Sequence, residues 1–263
     1  MKNLNFLLRY IKYKLFSRHK YGHSMHSTFV FDLITKVFND RSKYQEYNEV
    51  EKVRNILRAS DNEISVTDYG AGSKILKTES RKIKDIVKYS AVRTKYGRLL
   101  FRMVKYFKPG TILELGTSLG ISTMYMASAS KNTRIISIEA DKQLARIARQ
   151  NFHKTGLLNI DVINNRFENA LPGIIKGLDD KSFVFIDGNH EKCSTLQYFN
   201  QIAVKSESNI IIVLDDINWS GGMREAWQEI KSDPRVTVTV DLFFMGIVFF
   251  KKGIQKQNFV IRY

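Results

Sequence analysis

Residues 111–141, TILELGTSLGISTMYMASASKNTRIISIEAD, constrain the fold more than any other stretch. An apolar run (Ile112, Leu113, Leu115) ends in the turn Gly116-Thr117-Ser118-Leu119-Gly120. A Met- and Ala-rich helical stretch follows, then a second apolar run (Ile135, Ile136, Ile138) that stops at Glu139. The order is strand, tight turn, helix, strand. Glycines let backbone approach a ligand closely, and the N–H groups opening the helix face it. Glu139 lies 23 residues after Gly116, where an acid accepts the ribose hydroxyls in dinucleotide-binding folds. These features predict a nucleoside-binding α/β domain. The turn is not G-x-G-x-x-G and the chain has no G-x-x-x-x-G-K-[ST], so neither a pyrophosphate cradle nor a P-loop is supported.

The same periodicities carry the reading to both sides. KYGRLLFRMVKYF (95–107) sets Leu99, Leu100, Met103, Val104 and Phe107 on a helix face and ends at Pro109-Gly110. After Glu139, a helix with Leu144, Ile147, Ala148 and Phe152 on one side stops at Gly156. IDVINNRF, SFVFIDGNHEK and NIIIVLDDINWSGG read as the third, fourth and fifth strands, with helices between. VTVTVDLFFMGIVFFKK reads as two strands broken near Met245-Gly246, and Phe259 to Tyr263 as a short tail. A second glycine stretch, Asp68-Tyr69-Gly70-Ala71-Gly72-Ser73, has no strand of useful length before it and a basic helical region, KILKTESRKIKDIVKYS, after it. It is read as a loop, not as the cofactor site.

ILELGTSLGIST resembles the first motif of class I S-adenosylmethionine-dependent methyltransferases, and SIEAD resembles their ribose-binding acidic loop. Within that superfamily the chain is most similar to the catechol and caffeoyl-CoA O-methyltransferase type and to bacterial relatives with an FIDGxH motif. The resemblance implies a doubly wound, mostly parallel, seven-stranded Rossmann-like sheet over 95–263, preceded by a basic, mainly helical region over 1–94. It implies S-adenosylmethionine as cofactor, bound by Glu114, Gly116, Thr117, Ser118, Ser122, Glu139, Asn165, Arg166 and Asp187. Tyr96 and Gly97, in the helix before the first strand, become cofactor neighbours on the same ground, and Trp219 a wall of the cleft. The implied reaction is O-methyl transfer to a hydroxylated small molecule or a lipid-linked acceptor. Two alternatives are RNA methylation and a non-catalytic binding module that keeps the fold; the first lacks the N/D-P-P-[YF] motif, D-G-N-H standing in its place.

Glu139, Asp187, Asp215 and Asp216 all fall at strand ends, where open α/β sheets bind ligands. Gathered carboxylates repel one another unless a cation or donors compensate, and oxygen ligands suit Mg²⁺. The competing reading has Asp187 and Asp215 capping the helices that follow them. The resemblance favours Asp187, Asp215 and Asp216 as magnesium ligands, although Asp216 stands where the family has Asn. His190 occupies the position of the family's base, three residues beyond Asp187.

Charge separates the two parts of the chain. Residues 1–110 hold 24 Lys+Arg against 10 Asp+Glu, whereas residues 111–263 hold 18 against 16. The basic part suits phosphate-bearing partners or anionic membrane surfaces. Residues 3–16 place Leu4, Leu8, Ile11 and Leu15 on one face of a basic amphipathic helix, which reads as a surface docking on a membrane or a partner, or as packing on its own domain. His19, His23 and His26 lie close enough together to raise metal binding, but no acidic or Cys partner is adjacent. With one cysteine, Cys193, no disulfide framework forms within the chain. No run approaches a membrane span or a signal peptide, so the expectation is a cytoplasmic protein, with peripheral contact to the inner face of the membrane as a variant. A homodimer and bound nucleic acid complete the partner expectations.

Overall fold

The computed structural model describes residues 2–17, 21–22, 27–67, 78–205, 207 and 209–263. The elements begin with α1 (Lys2–Phe16), α2 (Thr28–Asp32, continued by a π-helical turn at Leu33–Phe38), α3 (Gln45–Arg58), β1 (Glu63–Ser65) and β2 (Ser80–Lys82). They continue with α4 (Ile83–Tyr89), α5 (Thr94–Phe107), β3 (Thr111–Leu115), α6 (Ile121–Ala129), β4 (Arg134–Glu139) and α7 (Lys142–Lys154). Then come β5 (Ile160–Asn164), α8 (Phe167–Lys176), β6 (Phe183–Ile186), α9 (Lys192–Ile202) and β7 (Ile211–Leu214). α10 (Gly221–Ser232), β8 (Val238–Asp241), β9 (Gly246–Phe249) and β10 (Gln257–Val260) complete the order. Contacts divide the chain into two units, Arg41–Asn189 and Met1–Asp40 with His190–Tyr263.

In the unit Arg41–Asn189, four parallel strands lie in the order β6-β3-β4-β5. Leu113 pairs with Ile136 on one side and Val184 on the other. Parallel strands are covered on both faces, which is why β3, β4 and β6 read as nearly unbroken apolar runs. α3 and α5 both pack on α6. The approach of α5 to α6 is close enough that a Cβ at Gly97 would meet the Tyr125 ring. Tyr125 Oη donates to Glu51 Oε1 at 2.5 Å, and Arg54 Nε and Thr94 Oγ1 converge on the same oxygen. Gly97 is therefore explained by helix packing.

β1 and β2 pair antiparallel, Ile64 opposite Arg81. A nucleotide-binding βαβ unit needs parallel strands, which β1 and β2 are not. The glycine stretch itself, residues 68–77, lies outside the described residues, as do His19, His23 and His26. Of the helical region expected after that stretch, residues 78–82 are not helical and α4 begins at Ile83.

In the other unit the strand order is β10-β8-β9-β7. β9 runs antiparallel to both β7 and β8, which gives the expected break between the last two predicted strands. All seven predicted strands are present. The tail adds an eighth, β10, parallel to β8 with Phe259 opposite Val240.

α1 packs on its own unit, one of the readings the sequence left open, but not through its aliphatic face. It packs through its aromatic side chains: Phe6, Tyr10 and Tyr13 lie 5.4, 5.0 and 5.2 Å, ring to ring, from Phe243 in the β8–β9 turn. Tyr13 Oη donates to the carbonyl of Ile261 at 2.6 Å and accepts the N–H of Tyr263 at 2.8 Å. The expected aliphatic face instead points outward, with Leu8, Ile11 and Leu15 exposed. Among the described residues no helix is long and apolar enough to cross a membrane.

Candidate functional site

The glycine turn sits where β3 ends. Gly116 has φ +105°, a region that costs a side chain heavily, and a Cβ there would meet the carbonyl oxygen of Asp187. The Asp187 N–H donates to Leu115 O at 2.9 Å, and the Gly116 N–H to Ile138 O at 3.0 Å. The turn is thus stitched to the ends of both neighbouring strands. Gly120, with φ +82°, caps α6, and a Cβ there would lie 2.5 Å from the Phe152 ring of α7. The opening N–H groups of α6 have no partner within the helix, as at any helix start, and the macrodipole there favours negative charge or electron-rich atoms.

Behind the turn lies a buried polar cluster. Glu114, on β3, is fully buried and accepts hydroxyl hydrogen bonds from Ser122 at 2.6 Å, Thr123 at 2.5 Å and Ser137 at 2.6 Å. Ser137 also shares a 2.6 Å hydrogen bond with Thr117 Oγ1. Burial raises the Glu114 pKa to about 7 against the pull of those three donors. The cluster ties the first turn of α6 to β3 and β4. Glu114 and Ser122 therefore direct their polar atoms at each other, and Thr117 braces the turn from below.

Glu139 closes β4. Its Oε2 accepts the Ser118 N–H at 2.8 Å and its Oε1 the Asp141 N–H at 2.9 Å. Ser118 reaches this position with φ +48°. Burial raises the Glu139 pKa, opposed by the N–H groups of Asp141 and Ser118. Asp141 is committed elsewhere: Oδ1 caps α7 at the Leu144 N–H, 2.8 Å, and Oδ2 accepts the Thr67 N–H at 2.9 Å. A carboxylate has about four acceptor positions. Among the described residues Glu139 takes one N–H on each oxygen at hydrogen-bond distance, with the Ala140 N–H also favouring its charged form, so the carboxylate keeps capacity for further donors. Two vicinal hydroxyls, as on a ribose, match that remaining capacity.

The neighbouring loop is fixed from the β5 side. Asn164 Nδ2 donates to the carbonyls of Glu139 and Ala140, at 2.8 and 3.0 Å. The Asn165 N–H donates to Glu139 O at 3.1 Å, and Asn165 Oδ1 takes the Arg166 N–H at 2.8 Å. Asn165 and Arg166 are exposed at the start of α8. A Cβ at Gly188 would come within 2.7 Å of the Phe167 ring, so this aromatic lies against the segment after Asp187. Sequence reasoning missed Asp141, Ser137 and Phe167. Their signals were a second acid after Glu139, a lone serine inside an apolar strand, and an aromatic directly after Asn165-Arg166.

Within Arg41–Asn189 the structure thus gathers Gly116, Thr117, Ser118, Glu139 and the Asp187 backbone, with Glu114 and Ser122 beneath them. The arrangement fits a nucleoside: a tight glycine turn at a strand end, a helix start, and a half-buried acid with acceptor capacity.

His190, Asp215, Asp216 and Trp219 belong to the other unit. Asp215 and Asp216 follow β7. Asp216 has φ +53°, and its carbonyl accepts the Trp219 N–H at 2.8 Å. Trp219 is exposed. Among the described residues, no group of three or more His, Cys, Asp or Glu side chains is placed to hold a metal ion. The magnesium expectation finds no support among them.

Residues 113–217 match the family described as Methyltransferase domain. The chain is 30% identical over 130 residues to a catechol O-methyltransferase of Niastella koreensis, covering 48% of this chain and 58% of that protein. It is 27% identical over 135 residues to a catechol O-methyltransferase of Mycobacterium tuberculosis, covering 51% and 60%. The chain thus spans under two thirds of the length of these curated relatives. Among solved structures, an O-methyltransferase from Bacillus cereus in complex with SAH superposes with a TM-score of 0.53 at 22% identity, covering 80% of this chain and 92% of that one. At that identity the superposition establishes the α/β fold alone. Together, the fold and the matched domain bear out the resemblance drawn from the glycine turn.

Proposed function

We propose that this chain, which carries a class I S-adenosylmethionine-dependent methyltransferase domain, moves a methyl group from S-adenosylmethionine to a hydroxyl of a small-molecule or lipid-linked acceptor. The observation that supports the reading most is the state of Glu139, aimed by two backbone N–H groups and left with acceptor capacity on both oxygens. In this reading the ribose hydroxyls take that capacity, while Gly116, packed against the Asp187 carbonyl, holds the turn that carries the Ser118 N–H to Glu139. Asn165 and Arg166 flank the base, and the Phe167 ring offers it an apolar surface.

When bound, S-adenosylmethionine supplies an already electrophilic methyl carbon. What remains for the protein is alignment of the incoming oxygen with that carbon and exclusion of water. The one proton to remove is that of the acceptor hydroxyl. The motif Asp187-Gly188-Asn189-His190 supports His190 as the group that takes it, since an imidazole near the acceptor can act as general base. The names of the two relatives make catechols the first acceptors to assay.

Calorimetric titration with S-adenosylmethionine, with and without Mg²⁺, tests the reading. Glu139→Ala removes two charge-assisted acceptors and weakens binding by about tenfold to a thousandfold. An affinity unchanged by that substitution would remove the cofactor assignment. A wild-type affinity that rises with Mg²⁺ would restore the metal to the mechanism.

A further inference from the structure

Among the described residues no element covers the outward face of α1, and its chemistry is unusual for a solvated surface. Leu7 is 51% exposed, Leu8 54%, Ile11 44%, Leu15 72% and Phe16 70%. At 100° per residue, Leu7, Ile11, Leu15 and Leu8 span an arc of roughly 100°. Lys14 borders that arc on one side and Lys12 on the other. The opposite side of the helix is already used, since Phe6, Tyr10 and Tyr13 lock α1 onto the β8–β9 turn and the segment after β10. The apolar arc is therefore presented by a helix that its own unit holds in place.

We propose that this face docks on an anionic phospholipid bilayer. Residues 1–31 contain six Lys+Arg and no Asp or Glu. An aliphatic arc bordered by lysines matches the acyl boundary in its centre and the phosphate headgroups at its edges. The Lys14 Nζ donates to the Tyr263 carbonyl at 3.0 Å, which fixes one of those flanking charges beside the arc. A second copy of the chain fits less well. A two-fold interface sets the same patch against itself, so the flanking lysines would meet their own kind without a carboxylate between them. The surface lies outside the nucleoside cradle, and its binding requires neither cofactor nor acceptor. Failure here leaves the proposed reaction untouched, and the reverse also holds.

The test is co-sedimentation of the full chain with vesicles of phosphatidylcholine containing about one third phosphatidylglycerol, against pure phosphatidylcholine, in ~0.1 M and ~0.5 M salt. The expected result is binding to the anionic vesicles that is tenfold or more weaker on neutral ones and falls with salt. Substituting Leu8→Ser, Ile11→Ser and Leu15→Ser together reduces it by on the order of tenfold or more, because the apolar insertion is lost. These side chains face outward, so the far-ultraviolet circular dichroism and melting temperature stay those of the wild type. Lys12→Glu is a second probe and weakens binding on anionic vesicles alone. Absence of wild-type binding overturns the proposal, as does full binding by the triple variant. A wild-type dimer that the triple variant turns into a monomer, without vesicle binding by either, would assign the face to a second copy instead.

Discussion

Glu114 offers the sharpest physical test of the cluster beneath the glycine turn. The carboxylate is fully buried and carries three hydroxyl donors, from Ser122, Thr123 and Ser137. Burial outweighs those donors and lifts its pKa from 4.5 to about 7, with the charge of Glu139 adding to the rise. A pKa that is higher in the folded chain than in the unfolded one means that the fold holds the proton across that window. Stability from this group is then complete below about pH 4.5 and declines as pH rises towards 7. At about 1.4 kcal/mol per pKa unit, the whole span is worth about 3 kcal/mol. For a chain of this size that is a melting shift of roughly 6 to 12 °C.

Glu114→Gln isolates the effect. Glutamine keeps the volume, offers one acceptor and two donors, and cannot titrate. The three hydroxyls both donate and accept, so they can turn to suit an amide. Urea unfolding of both proteins, followed between about pH 5 and pH 8, gives the difference in stability at each pH. That difference should move by about 3 kcal/mol in favour of the variant as pH rises through the window. Other shifted groups, such as Asp241 upward and Glu51 downward, are common to both proteins and cancel. Parallel pH curves for the two proteins would refute the reasoning, because they would mean that Glu114 ionises in the fold as it does in water.

Three further outcomes follow from single contacts. Gly116→Ala forces a side chain into φ +105° and against the Asp187 carbonyl, so it should cost more than about 2 kcal/mol and abolish S-adenosylmethionine binding, as read by unfolding and calorimetry. Gly97→Ala pushes on the Tyr125 ring, so it should lower stability by about 1–3 kcal/mol while leaving cofactor affinity within about threefold. A large loss of affinity at unchanged stability would instead make Gly97 a cofactor neighbour. Tyr13→Phe removes a buried hydroxyl that both donates to Ile261 and accepts from Tyr263, and should cost about 1–3 kcal/mol in urea unfolding.

The parts of the fold that were legible in the sequence are those whose physics is local. β3, β4 and β6 are buried on both faces, so their apolar runs needed no partner to be recognised. Gly116 and Glu139 were found because a turn and a strand end mark themselves. β10 was missed for the opposite reason. Its residues alternate between half-buried and exposed, and its pairing with β8 depends on a partner about twenty residues earlier. α1 carries apolar side chains on two faces, one aromatic and one aliphatic. Which of them packs is decided by Phe243 and Phe244, far along the chain, and no moment computed on the helix alone could choose.

The acids around the turn show how much a residue type leaves open. Glu114, Glu139 and Asp141 lie within one βαβ unit, and sequence alone makes each a fair candidate for gripping a ligand. Donors and exposure together separate their parts. Glu114 is sealed from solvent and takes three hydroxyl donors, and Asp141 has given one oxygen to the cap of α7 and the other to Thr67. Glu139 and Asp141 each take one N–H on each oxygen among the described residues, and exposure separates them: Asp141 is buried, whereas Glu139 is half-buried, oriented by its two donors and still open to a further partner. The acceptor capacity left on such a half-buried, oriented carboxylate suits a ligand that brings two donors. That argument selects Glu139 by elimination among neighbours, and it needs neither the family nor the metal to hold.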